Sequence, residues 1–314
     1  MATYRGRLAP SPTGYLHLGH ARTFWVAWQR TRAAGGTLVF RNEDLDDQRS
    51  KPEFVNAMYE DLRWLGLDWD EGPDIRPQPG KSGQPGDPDI GGPFAPYSQS
   101  QRRSFYLEAW RHLRDGGFIY PCTCSRKDLE RALSAPHEPL HGADSAEASV
   151  PGADDEMPYP GTCRDKISTA KNYDSPAGVS WRFKVPDGEI ISFEDGFFGP
   201  QQFIAGRDFA DFLLWRRDDI PAYQLAVVVD DEAMQITEVV RGADLLKSSA
   251  RQLLLIRALG YSTPAYFHCP LLRDEKNVRL AKRHDVLSLR ALREQGVKPE
   301  VLLHAFEEEM RGRI

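Results

Sequence analysis

Two groups of residues in this chain have the types and spacing to do chemistry. The first is the run RLAPSPTGYLHLGH at positions 7–20, in which His17 and His20 flank Leu18-Gly19 where an amphipathic pattern begins. A helix starting there presents unpaired N–H groups and a partial positive charge. Two imidazoles beside it add donors for phosphate oxygens, and Gly19 lets a flat nucleotide approach the backbone, so the chemistry is that of a site holding a triphosphate. The second group is PCTCSRKD with YPGTC, which supplies Cys122, Cys124, Tyr159 and Cys163. Three thiolates and one further donor make a closed tetrahedral zinc site able to pin the ends of a long loop. His137 and His141 lie in the intervening loop and are chemically better fourth donors than Tyr159, whereas Cys269 in YFHCPLL stands apart and reads as core. Each group also has a plainer reading: histidines around Leu-Gly arise by chance, and reduced cysteines sit in small cores.

The elements that must position these residues alternate strand and helix. Residues 4–9 read as a strand, and residues 18–34 as a helix with Trp25 and Trp28 on one face and Gly35-Gly36 as its stop. A strand at 37–41 follows, and Pro52 sits in the first turn of a helix running to Gly66, where its missing N–H costs nothing. Strand, crossover helix, strand is the parallel α/β unit, whose ligands collect at the carboxyl ends of the strands. The Pro- and Gly-crowded stretch from Gly72 to Pro96 reads as an exposed insertion, and helix resumes over 100–114. A second polar segment, 134–158, separates Cys124 from Cys163. Beyond it WRFKV, EIISFED and GPQQFIAG suggest a small antiparallel element, and the nucleotide-fold pattern returns with DFLLWRR, a helix at 222–231, the strand ITEVVRG and a helix at 245–259. ALREQG and EVLLHAFEEEM read as two closing helices. The expectation is an α/β protein: a split Rossmann-like domain at 1–99 and 201–290, an inserted α+β domain at 100–200, and a short helical segment at 291–314.

At 314 residues, 40% hydrophobic and 27% charged, the chain has an ordinary soluble globular composition. No window approaches the ~20 apolar residues of a membrane helix, and MATYRGRLA has no signal-peptide run, so a cytoplasmic protein without membrane contact is expected. Four cysteines in a chain of this length are no disulfide framework. A net charge of −6 argues against a broad basic nucleic-acid surface, while TCRDKISTAKN and NVRLAKRH offer local basic clusters for phosphate.

APSPTGYLHLGHART closely resembles the HIGH signature of class I aminoacyl-tRNA synthetases, specifically the glutamyl branch, in which the signature follows an R-x-A-P-S-P strand end. NVRLAKRHD resembles the second, lysine-bearing signature, with Lys282 at the matching lysine and Arg279, Ala281 and Arg283 departing from the K-M-S-K-S letters. The resemblance runs from Arg5 to about Arg290 and includes AYQLAVVVDD and ITEVVRGADLL. It implies a class I fold whose insertion bears zinc, and it makes His17, Gly19, His20 and Lys282 the ATP-binding and catalytic residues. A mobile cation at Lys282 would stabilise the charge that builds on departing pyrophosphate. The resemblance assigns Arg7, Leu8, Ala9, Pro10 and Ser11 to substrate contact, Glu43 to an α-ammonium, and Tyr223 and Arg241 to the rest of a glutamate. Arginine forks suit a carboxylate, because they stay charged when desolvated. Arg241 beside Asp244 has the lesser alternative of a structural ion pair, and Glu43, Asp44, Asp46 and Asp47 that of a solvated loop or helix start.

C-x-C followed by Y-x3-C is the arrangement of the glutamyl-queuosine tRNA(Asp) synthetases, which implies Cys122, Cys124, Tyr159 and Cys163 as zinc ligands. Some thirty residues follow the lysine loop, too few for the helical anticodon-binding domain of an ordinary glutamyl-tRNA synthetase. The implied activity is that of a ligase that adenylates L-glutamate with ATP and Mg2+, then transfers it to queuosine in tRNA(Asp). A monomer is expected. The alternatives are a shortened glutamyl-tRNA synthetase charging tRNA(Glu), a non-catalytic tRNA-binding paralogue, and activation of a free small molecule.

Overall fold

The computed structural model describes residues 3–73, 92–125, 127–129, 159–272 and 288–314. Strand β1 (Arg5–Leu8), helix α1 (Leu18–Ala33) and strand β2 (Thr37–Phe40) form a crossover unit whose strands pair in parallel, Arg5 opposite Thr37 and Leu8 opposite Phe40. The turn after α1 is tight enough that a Cβ on Gly36 would lie 2.4 Å from the Tyr4 carbonyl oxygen, which only glycine avoids. Helix α2 (Pro52–Trp64) follows with proline in its first turn, as its missing donor allows.

After helix α3 (Arg103–Asp115) come strands β3 (Ile119–Cys122), β4 (Ser180–Phe183), β5 (Ile190–Asp195), β6 (Gly199–Ile204) and β7 (Phe212–Trp215). Helix α4 (Tyr223–Ala233), strand β8 (Glu238–Gly242), helix α5 (Leu246–Leu259), strand β9 (Ala265–Cys269) and helices α6 (Leu289–Glu294) and α7 (Pro299–Met310) complete the order.

Strands β6-β5-β9-β8 make one sheet, in which β8 and β9 run parallel, with Arg241 opposite His268. Thr237, just before β8, donates its N–H to the Arg5 carbonyl at 2.9 Å and accepts from Ala265 N–H at 2.9 Å, so β1 lies beside β8. EIISFED and GPQQFIAG are antiparallel, as their alternation suggests, but β5 also meets β9 in parallel at Asp195 and Tyr266. DFLLWRR, expected to resume the nucleotide fold, instead pairs as β7 with β4 in the antiparallel sheet β3-β4-β7, Phe212 opposite Phe183. An apolar strand carries no record of its partner, and Phe212 stacks on Phe183 with ring centroids 5.2 Å apart.

One core lies between α1 and the parallel strands and contains Leu8, Trp25, Phe40, Val240, Phe267 and Cys269. Helix α7 closes it through Phe306, 5.9 Å from Trp25, while buried Arg22 of α1 holds Glu309 and the Pro270 carbonyl. A second core joins α3, α4 and α5 to β4 and β7, with Trp110 and Trp181 edge to face at 5.0 Å. Among the described residues no helix is long and apolar enough to cross a membrane.

Candidate functional site

Strand alternation divides the parallel strands into two faces. Leu8, Phe40, Val240 and Phe267 point towards α1, so Arg7, Arg41, Arg241 and His268 point the other way, at the carboxyl ends of β1, β2, β8 and β9. Arg7, Arg41 and Arg241 are at most 5% exposed, and Glu43 is 8% exposed. The Arg41 guanidinium joins them: it donates to Asp231 at 2.6 Å and to Glu43 at 3.0 Å, and Asp231 also lies 3.4 Å from Arg7. Burial raises the Glu43 carboxyl above its ordinary range, against the lowering effect of Arg41 and then Arg7. Arg7 itself donates to the Val240 carbonyl at 2.9 Å.

The strand ends Leu8-Ala9-Pro10-Ser11 and Arg41-Asn42-Glu43 run together, since the amides of Arg41 and Glu43 donate to the carbonyls of Leu8 (2.8 Å) and Pro10 (3.1 Å). Leu8 and Pro10 are buried, and Ser11 is exposed. Arg241 pairs with no carboxylate among the described residues; its donors go to His268 Nε2 (3.1 Å), Gln252 (2.9 Å) and Ser249 (2.7 Å). The sequence-level pairing of Arg241 with Asp244 is therefore not formed. Tyr223 opens α4 and is 38% exposed. Of the acidic run only Glu43 reaches this cluster; Asp44 accepts from Ser100, and Asp46 from Arg49.

His17 is the N-cap of α1, where its Nδ1 accepts from Gly19 N–H at 3.2 Å. Its ring stacks on His20 with centroids 3.7 Å apart, so both imidazoles stand at the positive end of the helix. A Cβ on Gly19 would sit 3.1 Å from the His17 ring. Lys282, with Arg279, Ala281 and Arg283, lies outside the described residues, as do His137 and His141.

The sulfurs of Cys122, Cys124 and Cys163 lie within 4.8 Å of one another. Tyr159 Oη is 3.4 Å from Cys122 Sγ and 3.9 Å from Cys124 Sγ, and it accepts from Cys163 N–H at 2.9 Å. Cys124 and Cys163 sulfurs are 3.6 Å apart, far beyond a disulfide bond and close to the spacing of thiolates sharing one zinc ion. Burial disfavours ionisation here, yet the Thr123 backbone and the Tyr159 and Cys124 side chains bring the Cys163 thiol down to about 6, while burial pushes Cys124 up to about 11. The donor set fits zinc.

Four partners escape the motif reading: Arg41, Asp231, His268 and Asp195. Only Asp231 left a trace, as part of an Asp-Asp pair ending the apolar run AYQLAVVV.

A parallel sheet with its charged cluster at the strand carboxyl ends, beside a histidine-capped helix after the first strand, defines an α/β nucleotide-activating catalytic domain. The chain belongs to the family described as tRNA synthetases class I (E and Q), catalytic domain, which matches residues 3–309. It is 48% identical over 295 residues to a glutamyl-Q tRNA(Asp) synthetase of Nitratidesulfovibrio vulgaris, covering 93% of this chain and 82% of that one. It is 44% identical over 301 residues to a protein of the same name from Symbiobacterium thermophilum, covering 95% and 84%. The crystal structure of a glutamate-tRNA synthetase from Elizabethkingia anophelis superposes with a TM-score of 0.70 at 28% identity, over 90% of this chain and 53% of that one.

Proposed function

We propose that this protein adenylates L-glutamate with ATP and transfers the glutamyl group to queuosine in tRNA(Asp). The observation that carries the reading is the 48% identity, over nearly the whole chain, to a relative bearing that name. The glutamate α-carboxylate attacks the α-phosphate and pyrophosphate departs; a hydroxyl of the queuosine cyclopentenediol then attacks the acyl carbon of the adenylate, losing its proton as AMP departs. The work is positioning and charge neutralisation, with no covalent enzyme intermediate.

His17, Gly19, His20 and the α1 amides hold the triphosphate with its magnesium, and Lys282 stabilises the departing pyrophosphate. Arg241 and Arg7 meet the side-chain carboxylate of the substrate, and Glu43 takes the α-ammonium, with Ala9, Ser11 and Tyr223 lining the pocket. What supports this division is charge: Arg7, Arg41 and Glu43 already share a buried network, while Arg241 has only neutral partners among the described residues. Cys122, Cys124, Cys163 and Tyr159 would hold a structural zinc; burial, and then the Cys122 and Cys163 side chains, hold the Tyr159 phenol above its ordinary range, which makes it the weakest of the four donors. In this reading a zinc-bearing inserted domain built on the β3-β4-β7 sheet interrupts the catalytic domain, whose sheet takes in β5 and β6 beside β8 and β9, so the boundary is not a single cut at residue 200, and the protein acts as a cytoplasmic monomer.

The test is transfer of labelled glutamate, with ATP and magnesium, to tRNA(Asp) with and without queuosine, alongside tRNA(Glu). Labelling confined to queuosine-containing tRNA(Asp) supports the reading; labelling of tRNA(Glu) makes the protein a conventional glutamyl-tRNA synthetase.

A further inference from the structure

The guanidinium of Arg241 is held by an imidazole, and that imidazole has its tautomer set by a second buried group. Asp195, at the end of β5, accepts from the backbone N–H of Phe197 (3.0 Å) and Phe198 (2.9 Å) through Oδ1. Its Oδ2 accepts from His268 N–H at 3.2 Å and lies 2.6 Å from His268 Nδ1. Burial works against ionisation of Asp195, but the His268 contact and the Phe197 and Phe198 amides outweigh it and lower its pKa, so it is a carboxylate. A carboxylate only accepts, and Nδ1 must therefore carry the ring proton.

Nε2 is left as an acceptor, 3.1 Å from Arg241 Nε. Burial first, and then Arg241 and Arg7, hold the His268 ring down to about 4 against the pull of Asp195, so it is neutral at physiological pH. Fully buried imidazole and carboxylate have no room to rearrange. Gln252 and Ser249 on α5 take one N–H each from the two terminal nitrogens of Arg241. Three of the five guanidinium donors are thus used, all on neutral groups, and among the described residues one N–H on each terminal nitrogen is left to meet a carboxylate. Arg7, Arg41 and Arg102 each have a carboxylate partner instead.

We propose that Asp195 and His268 are positioning residues that hold Arg241 oriented, with no carboxylate partner among the described residues, so that the pocket prefers a carboxylate side chain over a carboxamide. The inference rests on the glutamate-activating reading above. Compensation of Arg241 by a protein carboxylate would cost that preference; a neutral clamp fixes the fork without quenching it.

Asp195→Asn is nearly isosteric but sets an amide among N–H donors. The ring then turns to its other tautomer, with an Nε2 proton facing Arg241 Nε. His268→Leu removes the clamp, whereas His268→Gln offers a carbonyl oxygen near the Nε2 position. Glutamate-dependent ATP–pyrophosphate exchange is measured on the full chain and the three variants, with glutamine as competitor. Asp195→Asn and His268→Leu are expected to raise KM for glutamate about tenfold or more, as loss of an aligned charged hydrogen bond does, with KM for ATP unchanged. The preference for glutamate over glutamine falls with it, and His268→Gln recovers most of both.

Equal changes in the two KM values, an unchanged amino-acid preference, or a Gln variant no better than Leu overturns the proposal. If His268→Leu does not fold, the Asp195→Asn and His268→Gln pair decides on the same readouts. A wild-type protein without glutamate-dependent exchange overturns the functional reading itself, and the positioning role with it.

Discussion

Gly19→Ala separates the cost of a side chain at the proposed triphosphate site from its effect on the fold. The added Cβ would lie 3.1 Å from His17 Cε1 and 3.2 Å from Nδ1, closer than carbon normally comes, so the ring must give by a few tenths of an ångström. That shift breaks the cap bond from Gly19 N–H to Nδ1, now 3.2 Å, and disturbs the stack on His20. Loss of an N-cap costs about 1 kcal/mol. Alanine in place of glycine inside a helix returns about 0.8–1 kcal/mol. The two nearly cancel, and Tm should move by no more than about 2 °C. Catalysis has no such offset: misplacement by about 1 Å costs on the order of 100-fold, and in the proposed site the methyl also occupies the face on which the nucleotide would lie. The expected result is a 10- to 100-fold loss in kcat/KM for ATP, roughly, in pyrophosphate exchange, from a protein that melts like wild type. Unchanged exchange, or a loss accompanied by an equally large drop in Tm, would refute the geometry.

Other perturbations test the buried charges and the thiol cluster. Arg41→Met leaves Glu43 and Asp231 without the cation 3.0 and 2.6 Å away, and urea unfolding should show a loss of about 3–5 kcal/mol. Asp61 on α2 is fully buried, and burial raises its pKa from 3.8 to about 6, against the lowering effect of Arg293 on α6 at 3.4 Å. The native state therefore holds this proton more tightly than the unfolded chain, and stability falls as pH rises from about 4 to about 6. Asp61→Asn should flatten that segment of the urea-midpoint profile and stabilise the protein at pH 7.5 by about 1–3 kcal/mol; an unaltered profile would assign the slope elsewhere. If the cluster holds the proposed zinc, metal analysis should find one per chain in the wild type, and Cys163→Ser, which removes one of three clustered sulfurs, should bring it towards zero and lower Tm; a zinc content unchanged by the substitution would place the metal elsewhere.

Local chemistry was legible before any fold was known. The start of α1 at Leu18, its stop before Gly35, the proline-led entry to α2 and the two closing helices follow from caps, breakers and apolar periods within a few residues of each other. The C-x-C and Y-x3-C spacing likewise announced a thiol cluster, because β3 and the following turn carry both halves of the first motif. DFLLWRR did not declare its sheet, since an apolar strand pairs as readily with one neighbour as another until packing chooses.

By itself, then, the sequence pointed to the kind of chemistry proposed here: a histidine-capped helix suited to phosphate, arginines at strand ends suited to carboxylate, and thiols suited to a soft metal. It did so because each of these depends on residue type and on contacts spanning a few positions. Only tertiary structure decided which charges meet. Arg41 reaches Asp231 across 190 positions, and Asp195 reaches His268 across 73, and neither spacing repeats a pattern that local periodicity could reveal. Burial then does what sequence cannot express: it sets Arg241 among neutral partners, with no carboxylate against it among the described residues, while its neighbour Arg7 lies beside a carboxylate, although both are arginines near the end of a strand.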